Sequence, residues 1–263
     1  MDLGLKGRVA IVAAASTGLG RAVATELARE GARVAICART RDTLQEAAEA
    51  IRKETGAEVF HEALDVRDAA AVGRFVDAVE KRFGRIDVCV TNSGGPPSKL
   101  FADTQPEDWR SAVDLLLMSA VFFARETLPR MKGNGWGRFI TITSYAVKQP
   151  VDGLLLSNSI RAAVTGLART LANEYGAYGI TVNNVCPGYT ATDRLDELAE
   201  AISKRSRVTR EEVYAGWKRQ IPAGRIGTPE EFASVVAFLA SERSSYVNGT
   251  SLAVDGGIVR GLL

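Results

Sequence analysis

The stretch Arg8-Val9-Ala10-Ile11-Val12-Ala13-Ala14-Ala15-Ser16-Thr17-Gly18-Leu19-Gly20 decides how the rest of the chain is read. A short apolar run ends in a turn of small residues, and a helix-like segment starts at once at Gly18. Small side chains at a strand-to-helix turn let backbone N–H groups approach a pyrophosphate, and the helix N-terminus adds a favourable dipole. Ala14 stands where a glycine is expected, which weakens the local motif. The turn gains its meaning from the pattern of the remaining chain.

Further apolar runs recur at Arg33–Ala38, Glu58–Leu64, Ile86–Thr91, Arg138–Thr143, Ile180–Cys186 and Ser251–Val254. With Arg8–Ala14 they make seven, near-continuous in Val, Ile and Ala, as suits strands of a parallel sheet covered on both faces. Amphipathic helices are expected between them, over Gly18–Glu30, Arg41–Thr55, Ala69–Phe83, Pro106–Met131, Ser157–Tyr175 and Pro229–Ala240. Thr228-Pro229-Glu230-Glu231 reads as an N-cap with proline at the first helical position, and Gly31, Gly56 and Gly84 fall where C-caps belong. Strand and helix alternate without a linker, which implies one α/β domain over 1–263, a Rossmann-type doubly wound parallel sheet of seven strands. The charged segment Asp193–Gln220 interrupts the pattern after the sixth strand and is expected to hold two short helices. Ligands of open α/β sheets bind outside the carboxyl ends of the strands, so this insertion is placed to act as a substrate lid.

Composition narrows the function. Lys+Arg 33 against Asp+Glu 31 gives a net charge of +2 without a basic stripe, which argues against nucleic acid as a partner. No signal-peptide pattern opens the chain and no apolar stretch approaches membrane-spanning length, so a cytoplasmic location away from the membrane is expected. Cys37, Cys89 and Cys186 each lie in an apolar run and read as small core residues. With His61 the only histidine, a Ser-His-Asp triad would have to be built on it alone, and no metal-ligand spacing is present.

The second run ends Ile36-Cys37-Ala38-Arg39-Thr40-Arg41. A fold that prefers the unphosphorylated dinucleotide places an acid here to bind the ribose 2′-hydroxyl. Arg39 instead offers a fork of donors that matches a 2′-phosphate, which favours NADP(H) over NAD(H).

Taken together these residues resemble the short-chain dehydrogenase/reductase family, in its 3-oxoacyl-acyl-carrier-protein reductase-like branch, over nearly the whole chain. Ala14-x-x-x-Gly18-x-Gly20 is similar to its cofactor turn, with Ser16 and Leu19 inside it. Leu64-Asp65-Val66 resembles its adenine-binding segment, and Asn92-Ser93-Gly94 its Asn-Ala-Gly motif. Pro187-Gly188, with Thr190 and Thr192, looks like the segment that contacts the nicotinamide carboxamide. Ser245-Tyr246-Val247-Asn248-Gly249 and Val254-Asp255-Gly256-Gly257 look like its C-terminal signature. The resemblance implies a homotetramer or homodimer, paired through the helices Pro106–Met131 and Ser157–Tyr175, and a small carbonyl or alcohol substrate.

The family's catalytic set is Asn, Ser, Tyr and Lys, and this chain departs from it. Ser144 stands in the place of the family's Ser. Thirteen residues on, in the place of the Tyr, is Ser157, and four further, in the place of the Lys, is Arg161. The Asn position, seven residues after Trp109, falls on Leu116. A serine is a far weaker acid than a tyrosine, and a guanidinium is effectively always protonated. Ser157 and Arg161 nevertheless share one helix face at i, i+4, so a hydroxyl and a cation face the site beside Ser144. Arg161 would also reach the nicotinamide ribose. Three readings are open: an NAD(P)-dependent carbonyl or alcohol oxidoreductase with Ser144, Ser157 and Arg161 as its catalytic group, an NADP(H)-binding sensor or regulatory protein without turnover, or non-redox chemistry on a substrate anion held by Arg161. Tyr145 and Tyr189 are further candidates for a proton donor, although strand alternation predicts that Tyr145 points away from Ser144.

Overall fold

Alternate residues of each strand go to opposite faces of the sheet, and the core divides accordingly. Ala10 and Val12 of β1 (Val9–Ala13), Val34 and Ile36 of β2 (Arg33–Ala38), and Val88 and Val90 of β4 (Val88–Thr91) pack into one cluster. That cluster is closed by α1 (Gly18–Arg29), α2 (Arg41–Thr55) and α9 (Pro229–Ala240). The intervening Val9, Ile11, Ala13, Ala35, Cys37 and Cys89 pack into a second cluster on the other face. There they meet α3 (Ala69–Phe83), α5 (Ser119–Asn134) and α6 (Leu155–Tyr175). Burial on both sides is why the strands are apolar at every position rather than at every second one.

The computed structural model describes residues 2–262. Its seven strands form a parallel sheet in the order β3-β2-β1-β4-β5-β6-β7, with β3 at Val59–Ala63, β5 at Gly137–Ile142, β6 at Ile180–Pro187 and β7 at Ser251–Val254. The order reverses direction between β1 and β4, which opens a crevice at the carboxyl ends of the strands. At the opposite end, buried Asp87 accepts hydrogen bonds from the Val9 amide at 2.9 Å and from Arg85. Arg8 joins Asp87 to Glu242 there. This end is closed by charge pairs; the other is open.

One expectation needs correction. The run Pro106–Met131 is not one regular helix: α4 (Pro106–Ala112) passes through a π-helical turn, Val113–Met118, before α5 begins. Nothing in Asp114-Leu115-Leu116-Leu117-Met118 breaks a helix locally; the wider turn comes from packing against α6, where Leu116 is buried with Ala112, Leu156 and Ile160. Gly31, one residue beyond Glu30, closes α1 in the left-handed conformation expected of a capping glycine, at φ +86°, and its amide donates to the Ala28 carbonyl. Gly56 and Gly84 do cap α2 and α3 in the left-handed conformation. Thr228 and Glu231 form a capping box ahead of Pro229. The three cysteines are buried and free, and burial above all pushes the Cys37 thiol up to about 12. No helix among the described residues is long and apolar enough to cross a membrane.

Candidate active site

The crevice at the switch point is a cleft of about 640 Å³. Its floor is the turn after β1. Ala14 there has φ +49°, in the left-handed region that glycine adopts freely and an alanine does not. Behind the turn, Gly20 sits so close that a Cβ would lie 2.3 Å from the Ala14 carbonyl oxygen. Gly20 therefore does not line the cleft, contrary to its expected place among the cofactor-binding residues; it lets α1 approach the strand so that the turn can form. Ala14, Ser16, Gly18 and Leu19 do line it. The first turn of α1 carries no acidic residue and Thr17 makes no side-chain cap, so the amides at this helix start face the cleft without a side-chain partner.

The left-handed alanine stores roughly 1–2 kcal/mol. Ala14→Gly should release it, offset by roughly 0.4–1 kcal/mol of extra freedom in the unfolded chain. A net gain of about 0.5–1 kcal/mol is expected, or about 2 °C in Tm by calorimetry. A fall in Tm would show that the methyl packs to more effect than its backbone costs.

The other expected residues gather around this turn. Arg39 is exposed at one end, near Asp65 and Val66. Arg67 grips the Asp65 carboxylate through Nε and Nη2, at 3.0 and 2.6 Å, and holds it below the usual carboxylate range. Asn92 donates to the Ala14 carbonyl at 3.4 Å, tying the ends of β4 and β1 together, and Gly94 follows it in the wall. Pro187, Gly188, Thr190 and Thr192 form the opposite wall.

At the far end lie Ser144, Ser157 and Arg161. Ser144 follows β5 and its Oγ accepts from the Ala146 amide at 3.1 Å. Ser157 and Arg161 stand one turn apart on α6, and Nη1 of Arg161 donates to the Ile142 carbonyl at 3.0 Å. Burial, with the nearby Arg194 charge, pushes Arg161 down to about 10, so it remains a cation at neutral pH. Leu116 is absent from this group. It faces its apolar cluster, and Leu115 lines the cleft instead.

Tyr145 also opens into the cleft beside Ser144, against the expectation from strand alternation. The reason is local: β5 ends at Ile142, and Tyr145–Val147 form a 3₁₀ turn, so the two-residue alternation no longer applies. Tyr145 packs edge-on against Tyr189 with ring centres 5.7 Å apart, and Tyr189 stacks on Trp217 at 4.7 Å. Burial drives both phenols above their ordinary values, which makes them poor acids. These rings join the cleft to the segment 193–220, which folds as α7 (Asp193–Ser206) and α8 (Arg210–Gln220) around Leu195, Ala199, Val213 and Trp217.

Arg194, on the first turn of α7, escaped the sequence reading. It crosses the cleft mouth and donates to the Pro96 carbonyl at 3.2 Å. A cation in a helix's first turn opposes the helix dipole, and that mismatch was the available signal.

Similarity to known proteins agrees with this geometry. Residues 13–259 match the family model described as enoyl-(acyl carrier protein) reductase. The chain is 36% identical over 253 residues to the ketoacyl reductase assigned to the monensin polyketide synthase of Streptomyces virginiae, covering 95% of this chain and 97% of that one. It is 33% identical over 256 residues to the 3-oxoacyl-[acyl-carrier-protein] reductase of Escherichia coli, covering 97% and 99%. Among solved structures, L-sorbose reductase from Gluconobacter frateurii, complexed with NADPH and L-sorbose, superposes with a TM-score of 0.94 at 33% identity over the full length of both chains. Sheet order, cleft and full-length similarity lead to one conclusion: the chain belongs to the short-chain dehydrogenase/reductase family, in its 3-oxoacyl-acyl-carrier-protein reductase-like branch.

Proposed function

We propose that this protein is an NADP(H)-dependent oxidoreductase that interconverts a small carbonyl compound and its alcohol, with Ser144, Ser157 and Arg161 as its catalytic group. The observation that supports it most is that the α1 turn, Arg39 and this polar trio open into one cleft. The residues fit a phosphorylated dinucleotide. Uncapped amides at the start of α1 suit the pyrophosphate, and the exposed Arg39 fork suits a 2′-phosphate. Asp65 retains acceptor positions for the adenine amino group beside its Arg67 partner. Thr190 and Thr192 offer hydroxyls for the carboxamide.

When bound, NADPH supplies the hydride. Ser144 and Ser157 then donate hydrogen bonds to the carbonyl oxygen, and the Arg161 cation stabilises the negative charge that develops on it. Water delivers the final proton, since the trio holds no group that titrates near neutral pH. The α7–α8 segment covers the substrate as a lid, with Trp217 against Tyr189 as its seat. The active form is a homotetramer or homodimer in the cytoplasm.

The test is NADPH binding followed by fluorescence, with turnover screened on 3-oxoacyl thioesters, sugars and small ketones. Arg39→Asp should reverse the preference toward NADH, because one charge-assisted fork is replaced by repulsion of the 2′-phosphate. A shift of about 10²-fold or more in the affinity ratio is expected. An unchanged ratio removes Arg39 from the cofactor site. Leu116, Ser157 and Arg161 in the places of the family's Asn, Tyr and Lys also favour a second reading, a cofactor-binding sensor without turnover. Tight NADPH binding with no oxidation by any compound of the panel would select it.

A further inference from the structure

We infer that the reacting end of the cleft selects a substrate bearing a carboxylate, which Arg161 and Arg194 hold from two sides beside the Ser144 and Ser157 hydroxyls. The inference rests on the proposed reductase reading of the same cleft and specifies its substrate class.

Charge at this end of the cleft is unbalanced. Arg161 projects from α6 into a partly enclosed space, and its anchor is a neutral one, the Ile142 carbonyl. Among the described residues no carboxylate comes within 4.0 Å of its guanidinium. A partly buried cation without a counter-charge is costly, and a fold keeps one where a ligand completes it. The cost is increased by a second cation. Arg194 reaches over the same space from α7, and the two guanidiniums repel each other. Arg194 has a single ion pair, with Glu197 through Nη1, while Nη2 turns inward to the Pro96 carbonyl and leans on Gly95. The acids of the cleft do not compensate at this end. Asp65 lies by Arg39 and is held by Arg67, Glu197 is the exposed outer partner of Arg194, and Asp193 sits in the first turn of α7, where the helix amides already favour it. What remains is a cleft lined by two cations, one on α6 and one on α7, and by two serine hydroxyls. A carboxylate answers the two cations and leaves the serine hydroxyls to the neighbouring carbonyl oxygen.

The placement of the cations divides the work. Arg161 is fixed on a long helix packed into the core, so it sets where the anion lies. Arg194 belongs to the α7–α8 segment and meets the anion only when that segment covers the cleft. A carboxylate would thus draw the lid down and shield the reacting carbonyl from bulk water.

A pair of probes of equal shape and unequal charge tests this. Acetoacetate and acetoacetamide are titrated calorimetrically into the full-length protein, with and without NADPH. Acetoacetate is expected to bind at least about tenfold more tightly than the amide, as a charge-assisted pair implies. Arg161→Gln and Arg194→Gln should each erase most of that ratio, and Arg161→Lys, which keeps the charge, should restore part of it. Arg194→Gln should leave the NADPH affinity unchanged. Equal binding of acid and amide by the unaltered protein would overturn the inference. So would an Arg194→Gln variant that loses NADPH while keeping acetoacetate, because the arginine would then serve a cofactor phosphate. The measurement without NADPH reads the anion site alone, so a failure of the cofactor reading would show separately as absent NADPH binding.

Discussion

Restoring a phenol and an ammonium to α6, Ser157→Tyr with Arg161→Lys, is expected to raise NADPH-dependent ketone reduction by roughly 10²–10⁴-fold, the usual worth of a positioned general acid. A free tyrosine has a pKa of about 10, and a neighbouring ammonium lowers it toward neutrality. Positions 157 and 161 are one turn apart on the same helix and both line the cleft beside Ser144, so the pair would meet the reacting oxygen together. Leu116 is best left alone. It is buried among Ala112, Leu156 and Ile160, and an asparagine amide placed there would cost about 1–3 kcal/mol without facing the cleft. Steady-state oxidation of NADPH against the ketone panel reads the gain. A double variant that binds NADPH and stays at the parental rate would show that a proton donor is not what limits this site.

Gly20→Ala is expected to act at the other end of the cleft and on the whole molecule. Its Cβ would lie 2.3 Å from the Ala14 carbonyl oxygen and 3.0 Å from the Ala15 Cα, and both are backbone atoms that no rotamer change can clear. Helix α1 must then tilt away from β1, or the turn Ala14–Ser16 must be displaced. Stability should fall by about 2–4 kcal/mol in denaturant unfolding, in the range of severe overpacking. NADPH binding should be lost under conditions where the variant remains folded. Parental affinity in a folded Gly20→Ala protein would mean that the turn is not part of the cofactor site.

The parts of this molecule legible in the sequence were those set by local chemistry. Strand and helix alternated in the apolar pattern because each strand is buried on both faces. The helix limits at Thr228-Pro229, Gly56 and Gly84 came from capping that needs no tertiary context. The grouping of Arg39, Asp65, Asn92 and Pro187 in one cleft was legible because every loop after a parallel strand emerges at the same end of the sheet. Features created by packing between distant segments were not. The π turn at Val113–Met118 answers to α6, which lies much later in the chain. Tyr145 turned into the cleft because β5 stops at Ile142, and no residue type announces that stop. The crossing of Arg194 to Pro96 joins positions ninety-eight apart and depends on where the α7–α8 segment lies.

The ring stack from Tyr145 through Tyr189 to Trp217 also makes the protein its own optical gauge. Trp217 lies on α8, whereas the other two indoles, Trp109 and Trp136, sit on α4 and immediately ahead of β5. Only one of the three emitters therefore rides on the segment proposed as a lid, and its nearest partner is a wall residue of the cleft. Lifting α8 by a few ångströms unstacks this indole from Tyr189 and leaves the other two where they were. With Trp109 and Trp136 replaced by phenylalanine, the remaining emission would report any movement of α8 relative to the cleft wall in real time, with no label attached.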